Sequence, residues 1–438
     1  MSYVSNTDLM SGHAKRMMAQ RARLFGPNNA HFYDDPIHFV RGEGVWLFDH
    51  TGRRYLDCYN NVAHVGHCHP RVVDAITRQT GLLTTHSRYL HENVLEYAER
   101  LLMTFDRSLG TMLYTCTGSE ANDVALRMAQ SVTGNKGLIV TDFNYHGNTS
   151  LVMDLATLLP HDDGARPYVR TIPAPDSYHL DKGVKTKEQM GANVIRHLDA
   201  AIASLNSEGH GVAAILICPL FANEGFPDLP DGFAAQIARK VRKAGGVVIA
   251  DEVQSGFGRS GTAMWGHQHS GFLPDIVTLG KPMGNGYPIG GVVCREDVMH
   301  NFRSKNMYFN TFGANPVAAA AALAVLDVIE DERLVENAAR VGAYSKKKFR
   351  KLRKRFRAIG DVRGSGLFFG GEFVKSRKTR EADGKLAKRA MNQMRQEGVV
   401  MGLIGRKNNL LKIRPPMPFS KSNADHLFGT LERVLERL

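Results

Sequence analysis

Short apolar runs alternate with amphipathic stretches between residues 113 and 293 of the 438-residue chain. The apolar runs are rich in β-branched residues, which is typical of buried strands. The predicted strands are 137–140, 213–217, 247–250 and 276–279. Apolar positions with helical spacing lie between them, for example over 121–129 and 233–241. This alternation predicts an α/β fold in which helices cover both faces of a mainly parallel sheet.

The pattern changes on both sides of this region. Downstream, an Ala-rich helix is predicted over 316–329, and a basic helix, a Gly-rich hairpin over 360–371, a further helix and a strand at 411–413 follow it. Upstream, the pattern predicts two strands, 45–48 and 54–57, around a turn. We expect these N-terminal strands to pack with the C-terminal part as a smaller α+β domain.

Length and composition agree with one large and one smaller domain. The chain is 43% apolar and 23% charged, which is ordinary for a globular protein. We predict an N-terminal segment over 1–62 that packs with the small domain, a large domain over 63–328 and a small C-terminal domain over 329–438.

The chain carries no signal for a membrane or an oxidising compartment. No run of ~18 apolar residues is present, and the N-terminus is polar and basic rather than apolar. The cysteines are odd in number and lack CxxC spacing, so we expect a reducing, cytoplasmic location. They are Cys58, Cys68, Cys116, Cys218 and Cys294.

A formal net charge of +13 raises the question of a polyanionic partner. Much of the charge lies in the basic helix predicted over 346–357. Phe349, Leu352 and Phe356 form one apolar stripe there, which favours a solvated basic face with its stripe packed on the body. A polyanion-binding surface is the alternative, but no aromatic interleaving, zinc spacing or RNA-binding signature supports it. Nucleic acid is therefore not the expected partner.

A phosphate-binding feature is predicted at Gly118 and Ser119. Apolar residues at Ala121, Val124 and Ala125 have helical spacing, so the two residues lie at a helix N-terminus. Free N–H groups and the helix dipole bind anions there, and glycine lets the anion approach the backbone. An ordinary serine N-cap explains the same residues.

Two further residues follow predicted strands. Asp251 ends the run 247–250, and Lys281 follows 276–279 in a loop rich in glycine and proline. Taken alone, Asp251 could be an ordinary surface acid and Lys281 an ordinary solvated lysine. Together with Gly118 and Ser119 they match the needs of pyridoxal 5'-phosphate (PLP): an amine for a Schiff base, an acid for the pyridinium nitrogen and a helix end for the phosphate.

At this point the sequence resembles the class III aminotransferases, which belong to PLP fold type I. The likeness covers about residues 45–437 and rests on several motifs in combination. They are Gly66-His67-Cys68-His69-Pro70, Thr117-Gly118-Ser119-Glu120-Ala121-Asn122, Tyr145-His146-Gly147, Asp251-Glu252-Val253-Gln254, the Lys281 loop and Thr311-Phe312-Gly313-Ala314-Asn315-Pro316. The resemblance implies a large domain with a mainly parallel seven-stranded sheet, plus a smaller α+β domain from the N- and C-terminal segments.

The resemblance also assigns the cofactor contacts. They are Gly118, Ser119, Tyr145, His146, Asp251, Gln254, Lys281 and Thr311. Lys281 would be the catalytic Schiff-base lysine and Asp251 the pyridinium partner. Tyr145 would stack on the ring and Gln254 would contact its phenolic side. Thr311 would come from the neighbouring subunit, which implies a homodimer with shared active sites.

Within the family the chain is most similar to the phospho-lyases for ethanolamine phosphate and hydroxylysine phosphate. The shared stretches are 56–67, 280–286 and 411–417. Lys412 stands where many transaminases place an arginine for the substrate carboxylate, which weakens the case for amino-acid exchange. Cys218-Pro219 replaces the usual Glu-Pro, a departure that the phospho-lyases do not share.

The predicted reaction is elimination of phosphate from a small, anionic phosphorylated amine, giving an aldehyde, ammonia and phosphate. The alternatives are an ω-amine or amino-acid:keto-acid aminotransferase, an ammonia-lyase acting on an aminophosphonate, and a polyanion-binding protein on an enzyme scaffold. Candidate substrate ligands are Asn61, His64, Arg88 and Arg414. For His64, a packed or capping histidine is an equal alternative. His67 and His69 suggest a metal pair, but their motif is common to transaminases without metal, so no metal site is expected.

Overall fold

The computed structural model describes residues 12–26, 30–158 and 166–438. Three sheets are present within these ranges. Their strands are β1 (Phe39–Glu43), β2 (Trp46–Asp49), β3 (Arg54–Asp57), β4 (Thr111–Thr115), β5 (Gly137–Thr141), β6 (Val169–Ile172), β7 (Val212–Ile217), β8 (Val247–Asp251), β9 (Ile276–Leu279), β10 (Gly290–Cys294), β11 (Ile359–Ser365), β12 (Phe368–Phe373), β13 (Val399–Val400), β14 (Gly402–Ile404) and β15 (Leu410–Ile413).

The helices of the described ranges follow the predicted alternation through the centre of the chain. They are α1 (Gly12–Phe25), α2 (Pro70–Thr80), α3 (Glu92–Leu102), α4 (Gly118–Thr133), α5 (Ser150–Met153), α6 (Lys187–Ser207), α7 (Phe233–Lys243), α8 (Gly266–His269), α9 (Glu296–Lys305), α10 (Pro316–Asp331), α11 (Leu334–Arg355), α12 (Gly384–Gln396) and α13 (Lys421–Arg437). No helix of these ranges is both long and apolar enough to cross a membrane.

The central sheet has seven strands in the order β4-β10-β9-β8-β7-β5-β6. Neighbouring strands are parallel except that β10 runs antiparallel to β4 and β9. Every residue of β5, β7, β8 and β9 is buried, because helices cover both faces. The predicted α/β fold with a mainly parallel seven-stranded sheet is confirmed, and the strands predicted from apolar runs are β5, β7, β8 and β9.

Two smaller sheets join distant parts of the chain. One has the order β1-β2-β3-β13, in which β3 and β13 pair in parallel, and the other has the order β11-β12-β15-β14. The N-terminal strands therefore hydrogen-bond to a strand near the C-terminus. The domain limits at residues 62 and 328 stay a prediction.

The basic stretch belongs to α11 and differs from the prediction at its end. The helix stops at Arg355, because Phe356 has extended backbone angles of −104° and 113° and leads into β11. Phe349 and Leu352 are buried, and Phe349 packs against Phe428 of α13 with ring centroids 5.3 Å apart. Lys348 and Arg355 pair with carboxylates of α13. This is the solvated face with a packed stripe that the pattern favoured.

Candidate active site

Asp251 and Lys281 follow neighbouring strands of the central sheet. Asp251 is the last residue of β8, and Lys281 lies two residues beyond the end of β9. The strands are parallel, and Asp251 pairs in register with Thr278. Both residues therefore lie at the carboxyl edge of the sheet, where α/β proteins build their sites.

Lys281 has an amine with unusual surroundings. Its side chain is open to solvent within the cleft, yet protein atoms surround much of it. Desolvation lowers its pKa from the ordinary lysine value, Arg414 lowers the pKa further, and Asp251 opposes both. A lowered pKa leaves more of the amine neutral and nucleophilic at neutral pH.

The N-terminus of α4 lies against the Lys281 loop. Thr117 caps the helix with its hydroxyl oxygen. Gly118 is packed so closely that a Cβ atom there would lie 2.8 Å from a methyl carbon of Val253. A Cβ atom on Gly280 would lie 3.1 Å from Cα of Gly118. These close approaches favour glycine at both positions, and the free N–H groups of the first turn of α4 lie beside the Lys281 loop.

The predicted Tyr145-His146-Gly147 motif also reaches α4. Gly147 has a φ of +143°, and a Cβ atom there would lie 2.6 Å from Oγ of Ser119. The N–H of Asn148 donates to the same Oγ at 3.3 Å. Tyr145 is half-buried in this loop. The structure thus brings Ser119 and the tyrosine motif together.

Asp251 is held by three donors. Its Oδ2 accepts from Nδ1 of His146 at 2.6 Å and from Nδ2 of Asn122 at 3.1 Å. Its Oδ1 accepts from the N–H of Val253 at 3.0 Å. Together these three donors fix the orientation of the carboxylate.

Asn122 and Thr278 complete this network and were not among the predicted site residues. The hydroxyl of Thr278 donates to Oδ1 of Asn122 at 2.6 Å, which orients the asparagine amide towards Asp251. Asn122 belongs to a motif that the sequence analysis singled out, so its position was a usable signal. Thr278 had no comparable signal in the sequence, because it lies inside the apolar strand β9 and belongs to none of the motifs.

Lys412 and Arg414 bring two buried cations to one oxygen atom. Nζ of Lys412 donates to Oε1 of Gln254 at 3.0 Å, and Nη1 of Arg414 donates to the same oxygen at 2.6 Å. The two residues are only 2% and 5% exposed. Neither forms an ion pair with any carboxylate of the described residues. Gln254 was predicted to contact the cofactor, and the structure also places it between these cations.

Burial of these charges is costly without a counter-ion. Burial lowers the pKa of Lys412 well below its ordinary value, and Arg414 lowers the pKa further. Burial likewise lowers the pKa of Arg414. Burying a charge without a counter-ion costs on the order of several kcal/mol of folding free energy. We call Lys412 and Arg414 the cation cluster, and its geometry suits a bound anion that the protein itself does not supply.

His64 has no free ring nitrogen. Its Nε2 lies 2.7 Å from the carbonyl oxygen of Phe257, and its Nδ1 accepts from the guanidinium of Arg259 at 3.0 Å. Arg259 is fully buried and also donates to the carbonyl oxygens of Leu367 and Pro415. This geometry matches a packed histidine rather than the phosphate ligand that the sequence suggested.

Asn61 lies against the backbone that carries Gln254. Its Nδ2 is 3.4 Å from the carbonyl oxygens of Val253 and Gln254. Its Oδ1 is buried without a hydrogen-bond partner. Asn61 therefore has one unused acceptor next to the cation cluster.

Arg88 and Thr311 lie at the surface of the single chain. Both are exposed. The guanidinium carbon of Arg88 lies 4.1 Å from the ring centroid of Phe309, in the segment that also carries Thr311. The structure therefore groups these two predicted residues with each other.

The loop that begins at Cys218 forms one wall near Lys412. Burial raises the pKa of the Cys218 thiol to about 12, so it is a neutral group. Glu224 accepts from the hydroxyl of Thr141 at 2.9 Å, and burial raises its pKa. The ring centroid of Phe368 lies 5.4 Å from Nζ of Lys412. The neutral Cys218 thiol and the aromatic ring of Phe368 therefore lie on the same side of the cleft as Lys412.

His67 and His69 have separate partners. Nε2 of His67 lies 2.7 Å from Oδ2 of Asp57, and Nε2 of His69 lies 3.0 Å from Oε1 of Glu332. The two imidazoles are therefore directed to different carboxylates rather than to a shared ion.

The fold and this site define an enzyme that uses PLP as its cofactor. The chain belongs to the class III aminotransferases: the family model described as aminotransferase class-III matches residues 29–435.

Proteins similar to this chain include both aminotransferases and phospho-lyases. The chain is 41% identical over 403 residues to alanine–glyoxylate aminotransferase 2-like of Drosophila melanogaster, covering 90% of this chain and 81% of the relative. It is 38% identical over 437 residues to ethanolamine-phosphate phospho-lyase homolog 1 of Caenorhabditis elegans, covering 96% and 93%. A solved phospholyase from Arthrobacter in complex with phosphoethanolamine has a TM-score of 0.93 and 44% identity, covering 96% of this chain and 100% of that one.

The residues present fit PLP. The N-terminus of α4 at Gly118, where a Cβ atom would crowd Val253, offers backbone N–H donors for a phosphate. Asp251 offers an oriented carboxylate, and Lys281 offers an amine of lowered pKa beside it. Nε2 of His146 is buried without a partner in the same network.

Proposed function

We propose that this enzyme is a phospho-lyase that eliminates phosphate from a small phosphorylated amine of the O-phosphoethanolamine type. The products are an aldehyde, ammonia and inorganic phosphate. The proposal rests mainly on Lys412 and Arg414. Both cations are buried close to Lys281 and lack a carboxylate counter-ion among the described residues. A phosphate monoester carries close to two negative charges at neutral pH, which matches two cations.

The relatives support this choice. One is named as an ethanolamine-phosphate phospho-lyase homologue, and the similar Arthrobacter structure was solved with phosphoethanolamine. Both similarities cover 96% of this chain.

The cofactor residues are proposed as follows. Lys281 would hold PLP covalently, Asp251 would keep its ring nitrogen protonated, and Gly118 with Ser119 would hold its phosphate. Tyr145 would stack on the ring. When bound, the cofactor supplies an aldehyde for the substrate amine and an electron sink beside it.

Lys281 has a second role once the substrate amine has displaced it. Its neutral amine takes the proton from the carbon that bears nitrogen, while the C–O bond to phosphate on the next carbon breaks. A proton then returns to the carbon that carried the phosphate, which becomes the methyl group of the aldehyde, and water releases ammonia. The reaction therefore needs no oxidant or reductant. The lowered pKa of Lys281 favours the neutral amine that this step requires.

Lys412 and Arg414 would bind the phosphate and stabilise the charge that grows as it leaves. In that complex, phosphate oxygens replace Oε1 of Gln254 as their acceptor. Gln254 would then be free to turn to the cofactor, as the family resemblance implies. The unused Oδ1 of Asn61 is the acceptor available for the substrate ammonium or hydrated phosphate.

His64 and Arg259 would act as positioning residues rather than ligands. Their mutual bond and the bond of Arg259 to the carbonyl of Pro415 hold the turn that follows Arg414. We infer that His64 and Arg259 fix the position of Arg414, whose Nε also donates to the carbonyl oxygen of Tyr59 at 3.1 Å.

An aminotransferase is the second candidate. The Drosophila relative is named as an alanine–glyoxylate aminotransferase 2-like protein, and the guanidinium of Arg414 suits a keto-acid carboxylate. An ammonia-lyase on an aminophosphonate needs the same cation cluster and is a variant of the first proposal. A keto-acid acceptor distinguishes these reactions, because only the transaminase requires one.

We further propose a homodimer in which Thr311 joins the partner subunit's cofactor site, with Arg88 on the same surface. Large apolar side chains surround these residues: Leu90 is 94% exposed and Met307 is 93% exposed. Such a patch is typical of a subunit interface. The five cysteines are all free, which suits a reducing compartment such as the cytoplasm.

The test is an assay of the purified holoenzyme with O-phosphoethanolamine and no keto acid. We expect catalytic release of phosphate and acetaldehyde in equal amounts, and none from Lys281→Ala. Lys378→Met, at an exposed site, is the matched control. Transfer of the amino group to pyruvate without phosphate release would instead establish the aminotransferase.

A further inference from the structure

Three histidines from distant parts of the sequence meet at the N-terminal end of the described chain. His13 lies on α1, His38 directly precedes β1, and His50 lies in the turn between β2 and β3. We call them the histidine cluster. Their separation in sequence follows no metal-binding motif, so only the fold reveals them.

The imidazoles of the histidine cluster are close enough to share one ligand. Nε2 of His13 lies 2.9 Å from Nδ1 of His38. The ring centroids of His13 and His50 lie 4.5 Å apart, and those of His38 and His50 lie 5.2 Å apart. One nitrogen from each ring falls within 4.8 Å of the other two. The three rings are stacked, with interplanar angles of 17°, 25° and 22°, so each imidazole must rotate about its side-chain bonds to direct a nitrogen at one shared ion.

The donor set selects the kind of ion. Three imidazole nitrogens without a carboxylate or thiolate suit borderline divalent transition metals, whereas Mg²⁺ and Ca²⁺ prefer oxygen ligands. Zn²⁺ takes nitrogen ligands at ~2.0–2.1 Å and accepts three protein ligands with water in the fourth position. The partial exposure of His13 and His38 and the exposure of His50 leave room for that water.

We propose that His13, His38 and His50 bind one divalent transition-metal ion, with Zn²⁺ as the reference ion. The site is separate from the PLP residues and takes no part in the elimination step. Its effect is mechanical: it ties α1 to the N-terminal strands. Met17, Leu24 and Phe25 of α1 are exposed, so apolar packing alone holds this helix weakly.

Zn²⁺ binding to the untagged, chelator-treated holoenzyme tests the proposal. Isothermal titration should give one ion per chain, and each of His13→Ala, His38→Ala and His50→Ala should weaken binding at least about tenfold. His300→Ala, an exposed histidine outside the cluster, is the control and should bind as the parent does. X-ray absorption at the zinc edge should report three imidazole ligands.

A second measurement guards against misfolding of the variants. Zn²⁺ should raise the thermal midpoint of the parent enzyme and of His300→Ala but not that of the three cluster variants. The cofactor absorption of each variant reports that the rest of the chain is folded. Absence of saturable binding to the parent, or unchanged affinity in the cluster variants, overturns the proposal.

Discussion

Oδ2 of Asp251 accepts a hydrogen bond of 2.6 Å from Nδ1 of His146, in a network closed to solvent. Because Asn122 and the backbone of Val253 also donate to this carboxylate, its orientation is fixed before any ligand arrives. Preorganisation of this kind is what a carboxylate opposite a pyridinium nitrogen requires.

Asp251→Asn should therefore reduce kcat at least about a hundredfold with little change in fold, since asparagine fills the same space but carries no charge. The measurement is phosphate release together with the absorption spectrum of the bound cofactor. Asp199→Asn, at an exposed ion pair with Lys240, is the control and should be fully active. Near-normal turnover in Asp251→Asn would rule out its role as the pyridinium partner.

Lys412→Met should have opposite effects on activity and stability. Loss of a charge-assisted hydrogen bond to phosphate should lower kcat/KM for O-phosphoethanolamine about 10- to 100-fold. Removal of a buried, unpaired cation should raise the thermal midpoint of the apoenzyme by roughly 2–4 °C. Lys378→Met should change neither kcat/KM nor the thermal midpoint. A lower thermal midpoint in Lys412→Met would show that the buried charge of Lys412 does not destabilise the apoenzyme.

The alkaline limb of activity should depend on Lys412. Because burial lowers its pKa well below the ordinary value, the free enzyme loses this charge as pH rises through that lowered pKa. The value of kcat/KM, which reports the free enzyme, should therefore fall there, while kcat should not, since bound phosphate holds the proton. In Lys412→Arg the charge persists at all these pH values, so this limb should disappear. If kcat/KM falls at the same high pH in the parent enzyme and in Lys412→Arg, the titrating group is not Lys412.

Much of the fold could be predicted because its signals are local. The strands β7 and β8 are short apolar runs in the sequence, and each prediction ended within one residue of the observed end. The end of α11 was missed because Phe356 continues the apolar stripe although its backbone is already extended. Side-chain spacing does not encode that change of backbone.

The site was predictable only where strand ends supply the geometry. Asp251 and Lys281 meet because their strands are parallel neighbours. The sequence could not decide between a packed histidine and a phosphate ligand at His64, because its partner Arg259 lies 195 residues away in the chain. The convergence of Lys412 and Arg414 on Gln254 is equally remote in sequence.

Gly118→Ala should weaken cofactor binding. The added methyl group would lie 2.8 Å from a methyl carbon of Val253, so either α4 or that side chain must move. We expect the apparent PLP dissociation constant to rise about tenfold and stability to fall by about 1–3 kcal/mol. Equilibrium dialysis and thermal unfolding measure the two effects. Gly429→Ala, inside α13 and with the nearest neighbour of a Cβ atom 3.8 Å away, should leave PLP binding unchanged and should not lower stability, since alanine favours the helix.

Met307→Glu should dissociate the proposed homodimer. A charge placed in the apolar surface around Thr311 would be buried at the interface without a partner. Analytical ultracentrifugation should show monomers that retain PLP poorly, because the partner's phosphate contact is lost. Val40→Glu, at an exposed position of β1, is the control. A dimer that survives Met307→Glu unchanged would move the interface elsewhere.

Arg259 binds the imidazole of His64 and the carbonyl oxygens of Leu367 and Pro415, so one side chain joins the beginning, middle and end of the chain. During synthesis on the ribosome, Asp251 and Lys281 emerge long before Lys412 and Arg414. The nascent chain therefore carries Lys281 well before it carries Lys412 and Arg414. The two cations can reach Gln254 only after β15 has been synthesised, so their cluster assembles later than the network around Asp251.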